Sequence, residues 1–130
     1  MNARFAVLMC VAALASAAPA LGHHSFAAEF DENKPVKVTG TVTKIEWNNP
    51  HTWFFADVKN PDGSVTNWGV ELAGPTQLIR AGWKRDALKV ADEVAIEAFR
   101  ARDDSNQANA RTIVLVASGK QVFTGPPPAR

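Results

Sequence analysis

The residues of this chain best suited to chemistry are its three histidines, His23, His24 and His51. Two are adjacent near the amino terminus, and the third follows the dipeptide Asn49-Pro50. Imidazole is the commonest metal-binding side chain of proteins, and nitrogen-rich sites favour copper, nickel or zinc. The three histidines therefore predict a metal site, with copper as the preferred ion, provided that the fold brings the two segments together.

The chemistry of such a site depends on where the mature amino terminus lies. A positive residue, an apolar stretch over residues 5–15 and a run of small residues form the pattern of a cleavable secretory signal. Cleavage after Ala20 would leave His23 third, where the terminal amine, two amides and the imidazole suit square-planar Cu(II) or Ni(II). Cleavage after Gly22 would leave His23 first, and its amine and ring could then chelate copper together as part of a copper brace.

Export would leave a nearly neutral domain without cysteine, because Cys10 lies within the predicted signal. We therefore expect a periplasmic or secreted bacterial protein without disulfide bonds. The full chain has 14 basic and 13 acidic residues, and this balance argues against a nucleic-acid partner. No second apolar run reaches the ~20 residues that span a bilayer, so no stable membrane insertion is expected after cleavage. A metal ion or a small ligand is the expected partner, and a protein partner is left open.

Two other hypotheses compete with a simple metal-binding role. Trp47, Asn49 and Trp53 surround His51 in the sequence, and they predict an aromatic rim for a non-metal small ligand or a protein. A redox enzyme built on a copper brace is the third hypothesis, and it requires His23 to be the first residue. The sequence shows no Ser-His-Asp or Cys-His set and no glycine-rich phosphate loop, so no enzyme activity is predicted from its motifs.

The elements that must position these residues are mostly β-strands. Residues 36–42 alternate between apolar and polar types, and the alternation then slips by one residue before Ile45 and Trp47. Such a slip predicts a β-bulge or a sharp bend, which Gly40 can ease. Further strands are predicted over residues 52–59, 65–72, 92–101 and 110–117, and a short helix is predicted between Gly74-Pro75 and Gly82.

Three strands, a short helix and two strands, with a bent first strand, match the five-stranded Greek-key barrel of the OB-fold. The prediction is therefore a mainly β protein, with an OB-like barrel over residues 36–123 and the helix between strands 3 and 4. A signal over residues 1–20, or up to 22, and an arm over residues 21–35 precede this domain, and a proline-rich tail over residues 124–130 follows it. His51 would lie in the loop that joins the first two strands, where the arm could deliver His23 and His24.

Several segments resemble a family of small exported bacterial proteins that is known only as a domain of unknown function. These segments are His23 to Asp31 (HHSFAAEFD), Gly40-Thr41-Val42, Asn49-Pro50-His51, Gly82-Trp83 and Ala108-Asn109-Ala110-Arg111. The resemblance covers essentially the whole mature chain and implies a single exported domain. It also implies that the histidine arm and the Asn-Pro-His loop belong to the family pattern, but it brings no activity and no catalytic residue.

Overall fold

The computed structural model describes residues 25–126. His23, His24, the predicted signal and residues 127–130 of the predicted tail lie outside the described residues. Six strands and two short helices follow in the order α1 (Phe26–Glu29), β1 (Phe30–Glu46), β2 (Trp53–Lys59), β3 (Val65–Glu71), α2 (Pro75–Arg80), β4 (Glu93–Ala101), β5 (Gln107–Leu115) and β6 (Gln121–Thr124). Neither of these helices is long and apolar enough to cross a membrane.

The strands form one sheet in the order β3-β2-β1-β4-β5-β6, in which β3 also pairs with β5. The β3–β5 pairing is parallel and joins Gly69–Glu71 to Gln107–Asn109, whereas the other pairings are antiparallel. Pairing therefore runs from β1 through β2, β3, β5 and β4 and returns to β1. The predictions of a mainly β protein and of a helix between the third and fourth strands are confirmed. Strand β6 and helix α1 were not predicted, because each has only four residues and shows no clear periodicity.

The first strand begins at Phe30, six residues before the predicted start, so the last part of the predicted arm belongs to β1. Phe30 is only 2% exposed and pairs with Ala101, and Pro35 pairs with Phe99. The register shifts between these two pairs, and this irregularity accommodates a proline that would otherwise remove a hydrogen bond from the ladder. The residues just before Pro35 are all polar and show no alternation, so the pattern did not predict this part of the strand.

The predicted slip in the first strand is confirmed as a shift of register between Val42 and Lys44 in the β1–β2 pairing. Gly40 lies just before it, where β1 and β2 approach closely. A Cβ atom at Gly40 would lie 2.9 Å from the carbonyl oxygen of Asp57 and 2.9 Å from Cγ2 of Val58. Glycine is therefore required at this position because a side chain would push the two strands apart.

Alternate residues of the strands form one buried core, onto which α2 packs. On β2 the buried positions are Phe54, Ala56 and Val58, and on β3 they are Trp68 and Val70. The other face of these strands carries the intervening residues. Leu72, which follows β3, and Leu78 of α2 are each no more than 2% exposed, and they extend the core beyond the strands. The fold thus leaves the alternate, outward-facing residues of β2, β3 and β5 available for a site.

Candidate functional site

The residues that could support chemistry lie in one row on the outer face of the sheet. Trp53 of β2 is the direct partner of Glu71 on β3, and Glu71 is in turn the direct partner of Asn109 on β5. Residues paired directly across neighbouring strands have side chains on the same face, close enough to interact. The parallel β3–β5 pairing therefore brings together Glu71 and Asn109, which are 38 residues apart in the chain.

Glu71 lies at the centre of a chain of polar contacts that ends at His51. The side-chain amide of Asn109 donates a hydrogen bond of 3.0 Å to Oε1 of Glu71. Nδ1 of His51 lies 3.4 Å from the same carboxylate oxygen. The Glu71 side chain is 7% exposed and that of His51 is 36% exposed. The carboxylate is thus buried behind an imidazole that is open to solvent.

The buried position of Glu71 changes its acidity. Burial raises the pKa of Glu71 above its ordinary value, because a desolvated carboxylate is less stable than a desolvated acid. The charge of His51 and the hydrogen bond from Asn109 act in the opposite direction, and the carboxylate of Glu29 adds to the rise. Glu29 of α1 and His51 of the loop therefore both influence the pKa of Glu71.

The backbone around His51 is held to the end of β3 and the start of α2. The N–H of Thr52 donates to the carbonyl of Ala73 at 3.1 Å, and the N–H of Leu72 donates to the carbonyl of Thr52 at 2.8 Å. A Cβ atom at Gly74 would lie 2.6 Å from the carbonyl oxygen of Pro50, so only glycine fits there. These contacts fix the loop against β3 and place His51 beside Glu71.

This arrangement determines which nitrogen of His51 can act on a ligand. The tautomer with its proton on Nδ1 can donate that proton toward the Glu71 carboxylate, and in this tautomer Nε2 carries the free lone pair. Metal-binding histidines commonly donate their other ring N–H to a carboxylate, which fixes the tautomer and strengthens the ligand. In that tautomer, Nε2 is the ring nitrogen of His51 available to a ligand.

The structure separates the residues that the sequence placed on one aromatic rim. Trp47 packs edge-to-face on Trp83 with ring centroids 6.3 Å apart, and the guanidinium of Arg85 lies 5.5 Å above the Trp47 ring. Trp53 instead lines a cleft beside α1. Asn49 is exposed in the loop that leads to His51. Of the predicted rim residues, only Trp53 lies in the same row as Glu71 and Asn109.

The predicted three-histidine site falls only partly within the described residues. Residues 25–126 contain no group of three histidine, cysteine, aspartate or glutamate side chains arranged to hold a metal ion. His51 is the only one of the three predicted ligands in that range.

Comparison with known protein families places the chain. The model of a family of unknown function, DUF6152, matches residues 9–110. The chain belongs to this family. No curated protein and no solved structure is significantly similar to it. The resemblance noted in the sequence is thus confirmed at the level of a family of unknown function, and the DUF6152 match spans His23, His24, His51, Glu71 and Asn109.

Sequence reasoning missed Glu71 and Asn109, for different reasons. Glu71 lies between the apolar residues Val70 and Leu72, and alternation alone predicts that it faces solvent. Asn109 falls just before the predicted strand over residues 110–117, whereas β5 already begins at Gln107. One signal was available, because Asn109 falls in one of the segments that resemble the family.

We expect the effect of Glu71→Gln on folding stability to depend on pH, because the pKa of Glu71 is raised in the folded state. Protonated Glu71 favours the folded state, and this contribution is complete below the ordinary pKa of 4.5 and lost as pH rises through the raised folded value. Relative to Glu71→Gln, the parent should therefore lose stability from pH 4.5 upward and then level off. Urea unfolding of both proteins at a series of pH values checks this result.

The comparison is made in a His51→Ala background, which removes the neighbouring imidazole. Glu97→Gln is the matched control, because Glu97 is half-exposed and pairs with Lys37 at 2.7 Å. Parallel pH profiles for the parent and the Glu71→Gln protein would show that burial does not raise the pKa of Glu71.

Proposed function

We propose that this protein is an exported, OB-like metal-binding protein that takes up Cu(II) through Nε2 of His51 together with His23 and His24. The observation that carries the proposal is the contact chain from Asn109 through Glu71 to His51. The role is metal binding, delivery or buffering rather than turnover.

The contact chain supports a ligand role for His51, because burial of the Glu71 carboxylate costs folding free energy that a positive charge on the imidazole would offset. A buried carboxylate is unfavourable unless hydrogen bonds and a nearby positive charge offset its desolvation. Here both partners converge on Oε1 of Glu71, and one of them is the half-exposed His51 ring. A metal ion on Nε2 would add positive charge to the imidazole and so improve its interaction with Glu71. Metal binding and carboxylate burial then stabilise each other.

The short separation in sequence between His24 and α1 is compatible with a shared site. Helix α1 ends at Glu29, whose carboxylate is close enough to Glu71 to affect its pKa. His24 precedes Glu29 by five residues, so even a fully extended chain keeps the two Cα atoms within about 18 Å of each other. The arm therefore leads directly into α1, and this short connection is compatible with a contribution of His23 and His24 to the proposed site.

The strand pairings support the OB-like part of the proposal. Pairing passes through β1, β2, β3, β5 and β4 and back to β1, with β3 and β5 parallel. A circuit of five strands, a bulged first strand and a helix between the third and fourth strands fit a small closed Greek-key barrel. In this proposal β6 is an addition at the edge of β5.

Export is supported by the sequence of residues 1–22, which has the charge, apolar stretch and small residues of a secretory signal. It fits the proposed chemistry, because cleavage generates a free amine close to His23. Intact-mass measurement of the secreted protein gives the first residue. If that residue is Leu21, the copper-brace enzyme is excluded, because His23 must then be third.

Titration of the purified secreted protein with Cu(II), followed by calorimetry and electron paramagnetic resonance, tests the proposed function. We expect one equivalent to bind, and we expect His51→Ala to change both the affinity and the spectrum. The arm alone can still hold copper in the variant, so its binding should approach that of a synthetic peptide with the sequence of the arm.

Asn48→Ala is the matched control, since Asn48 is an exposed polar residue of the same loop and has no imidazole. It should bind copper as the parent does. Identical affinity and identical spectra for the parent and His51→Ala would overturn the shared site.

A further inference from the structure

A cleft of about 370 Å³ lies beside α1, next to the row that contains Glu71. Its lining includes Glu29, Trp53, Arg102, Asp103 and Gln107. Trp53 joins the cleft to the row, because it is the direct cross-strand partner of Glu71. The volume is at the lower end of the range for small-molecule sites, so the cleft suits a ligand of about ten non-hydrogen atoms.

Trp53 differs from the other tryptophans in its surroundings. Trp47 and Trp83 pack on each other, and Trp68 lies 5.4 Å beneath the guanidinium of Arg100. Within residues 25–126, the Trp53 ring takes part in none of the ring–ring or cation–π contacts. Trp53 is partly exposed, and a partly exposed indole can hold a cation over its ring face, where the negative part of the ring's charge distribution lies.

Glu29 lines the same cleft. None of the ion pairs formed within residues 25–126 includes Glu29. Its charge helps to raise the pKa of Glu71, and Asp103 adds a second acidic side chain to the lining of the cleft. The repulsion between these carboxylates would be relieved by a positive charge placed between Glu29 and the Trp53 ring.

Arg102 does not provide that charge, because its guanidinium is already engaged. Nε of Arg102 donates a hydrogen bond of 2.6 Å to the carbonyl of Ala27, and its Nη1 lies 3.7 Å from the carboxylate of Asp31. These contacts fasten α1 to the end of β4 and turn the arginine toward the helix. By contrast, the acidic lining residues Glu29 and Asp103 take part in no ion pair within residues 25–126.

We propose that this cleft is a binding site for a small primary amine, with the ammonium group between Glu29 and the face of Trp53. The apolar part of the ligand stacks on the indole, and the exposed amide of Gln107 is available as a hydrogen-bond partner for a polar substituent. This site is distinct from the proposed copper site, and its occupancy does not require a metal ion.

Three ligands of one shape test the charge preference: benzylamine, benzyl alcohol and benzoate. The full secreted protein is titrated with each in the presence of a chelator, so that the copper proposal is not tested at the same time. The four indole N–H resonances are followed by nuclear magnetic resonance, and the Trp53 resonance is assigned from Trp53→Phe. We expect benzylamine to shift the Trp53 resonance with a Kd in the millimolar range or below, and the other two ligands to bind about tenfold or more weakly.

Glu29→Gln should weaken benzylamine binding about tenfold and bring it close to that of benzyl alcohol. Glu93→Gln, which removes an exposed carboxylate from the start of β4, should leave it unchanged. Equal binding of all three ligands, tighter binding of benzoate, or no shift of the Trp53 resonance would each overturn the proposal.

Discussion

Substitution of Glu71 by glutamine is expected to weaken Cu(II) binding by about 10- to 100-fold, the usual loss when the carboxylate behind a metal-binding histidine is removed. Glutamine keeps the size of the side chain and one acceptor oxygen, but it has no negative charge to stabilise a metal-bound imidazole. Nothing in the proposed site requires Glu71 to touch the metal. The effect therefore reports on the positioning and polarisation of His51, whose Nδ1 lies 3.4 Å from the carboxylate.

Two readouts separate this role from a merely structural one. Copper affinity is measured by competition with a chelator of known strength, and the tautomer of His51 is followed through its ring nitrogen chemical shifts. In the parent, the proton should reside on Nδ1, and Glu71→Gln should give a mixture of tautomers. The Glu97→Gln control should change neither quantity. Unchanged copper affinity in Glu71→Gln, with the fold intact, would remove Glu71 from the site.

Truncation of Phe54 to alanine is expected to cost about 3–5 kcal/mol of unfolding free energy, the range for a large aromatic side chain removed from a packed core. Phe54 is fully buried on β2, three positions after His51 in the chain. The loss combines the transfer of the ring to water in the unfolded state with the cavity left in the folded state. Since small domains are stable by only about 5–15 kcal/mol, the variant should be close to unfolding at ambient temperature.

Urea unfolding followed by far-ultraviolet circular dichroism measures this cost. Val65→Ala is the control on the neighbouring strand, because Val65 is 56% exposed and its truncation should change stability by less than about 0.5 kcal/mol. A cost for Phe54→Ala within 1 kcal/mol of the Val65→Ala value would contradict the assignment of Phe54 to the core. Because the secreted chain is expected to have no cysteine, thiol oxidation would not complicate the comparison.

The order of the first five strands along the chain, and the helix between the third and fourth, could be predicted from local pattern. Alternation and turn residues are properties of short segments. The bulge in β1 was predictable for the same reason, since a phase slip is visible in ten residues. The start of β1 was not, because Phe30 is buried by a partner 71 positions away, Ala101. A polar stretch with a proline gives no local sign of such a pairing.

The candidate site was predictable in His51 and Trp53, but not in Glu71 and Asn109. Motif reasoning selected His51 from its residue type and its loop, but the partners that prepare it come from two other strands. Glu71 and Asn109 meet through the parallel β3–β5 pairing, and alternation does not specify which strands become neighbours. Trp53 was selected for its position near His51, and the structure retains it beside Glu71 while it places Trp47 on Trp83.

The parallel pairing of β3 with β5 has a consequence for the order of folding. The hairpins β1–β2, β2–β3 and β4–β5 connect strands that follow each other in the chain, whereas β3–β5 and β1–β4 close long loops and pay a larger entropy cost before they form. A chain that has formed only its hairpins has His51, but it does not yet have the Asn109 amide that holds Glu71 behind it. Under the proposed function, a copper ion would bind the completed circuit more tightly than a partly folded form that offers only the arm, and by mass action it would stabilise the completed circuit.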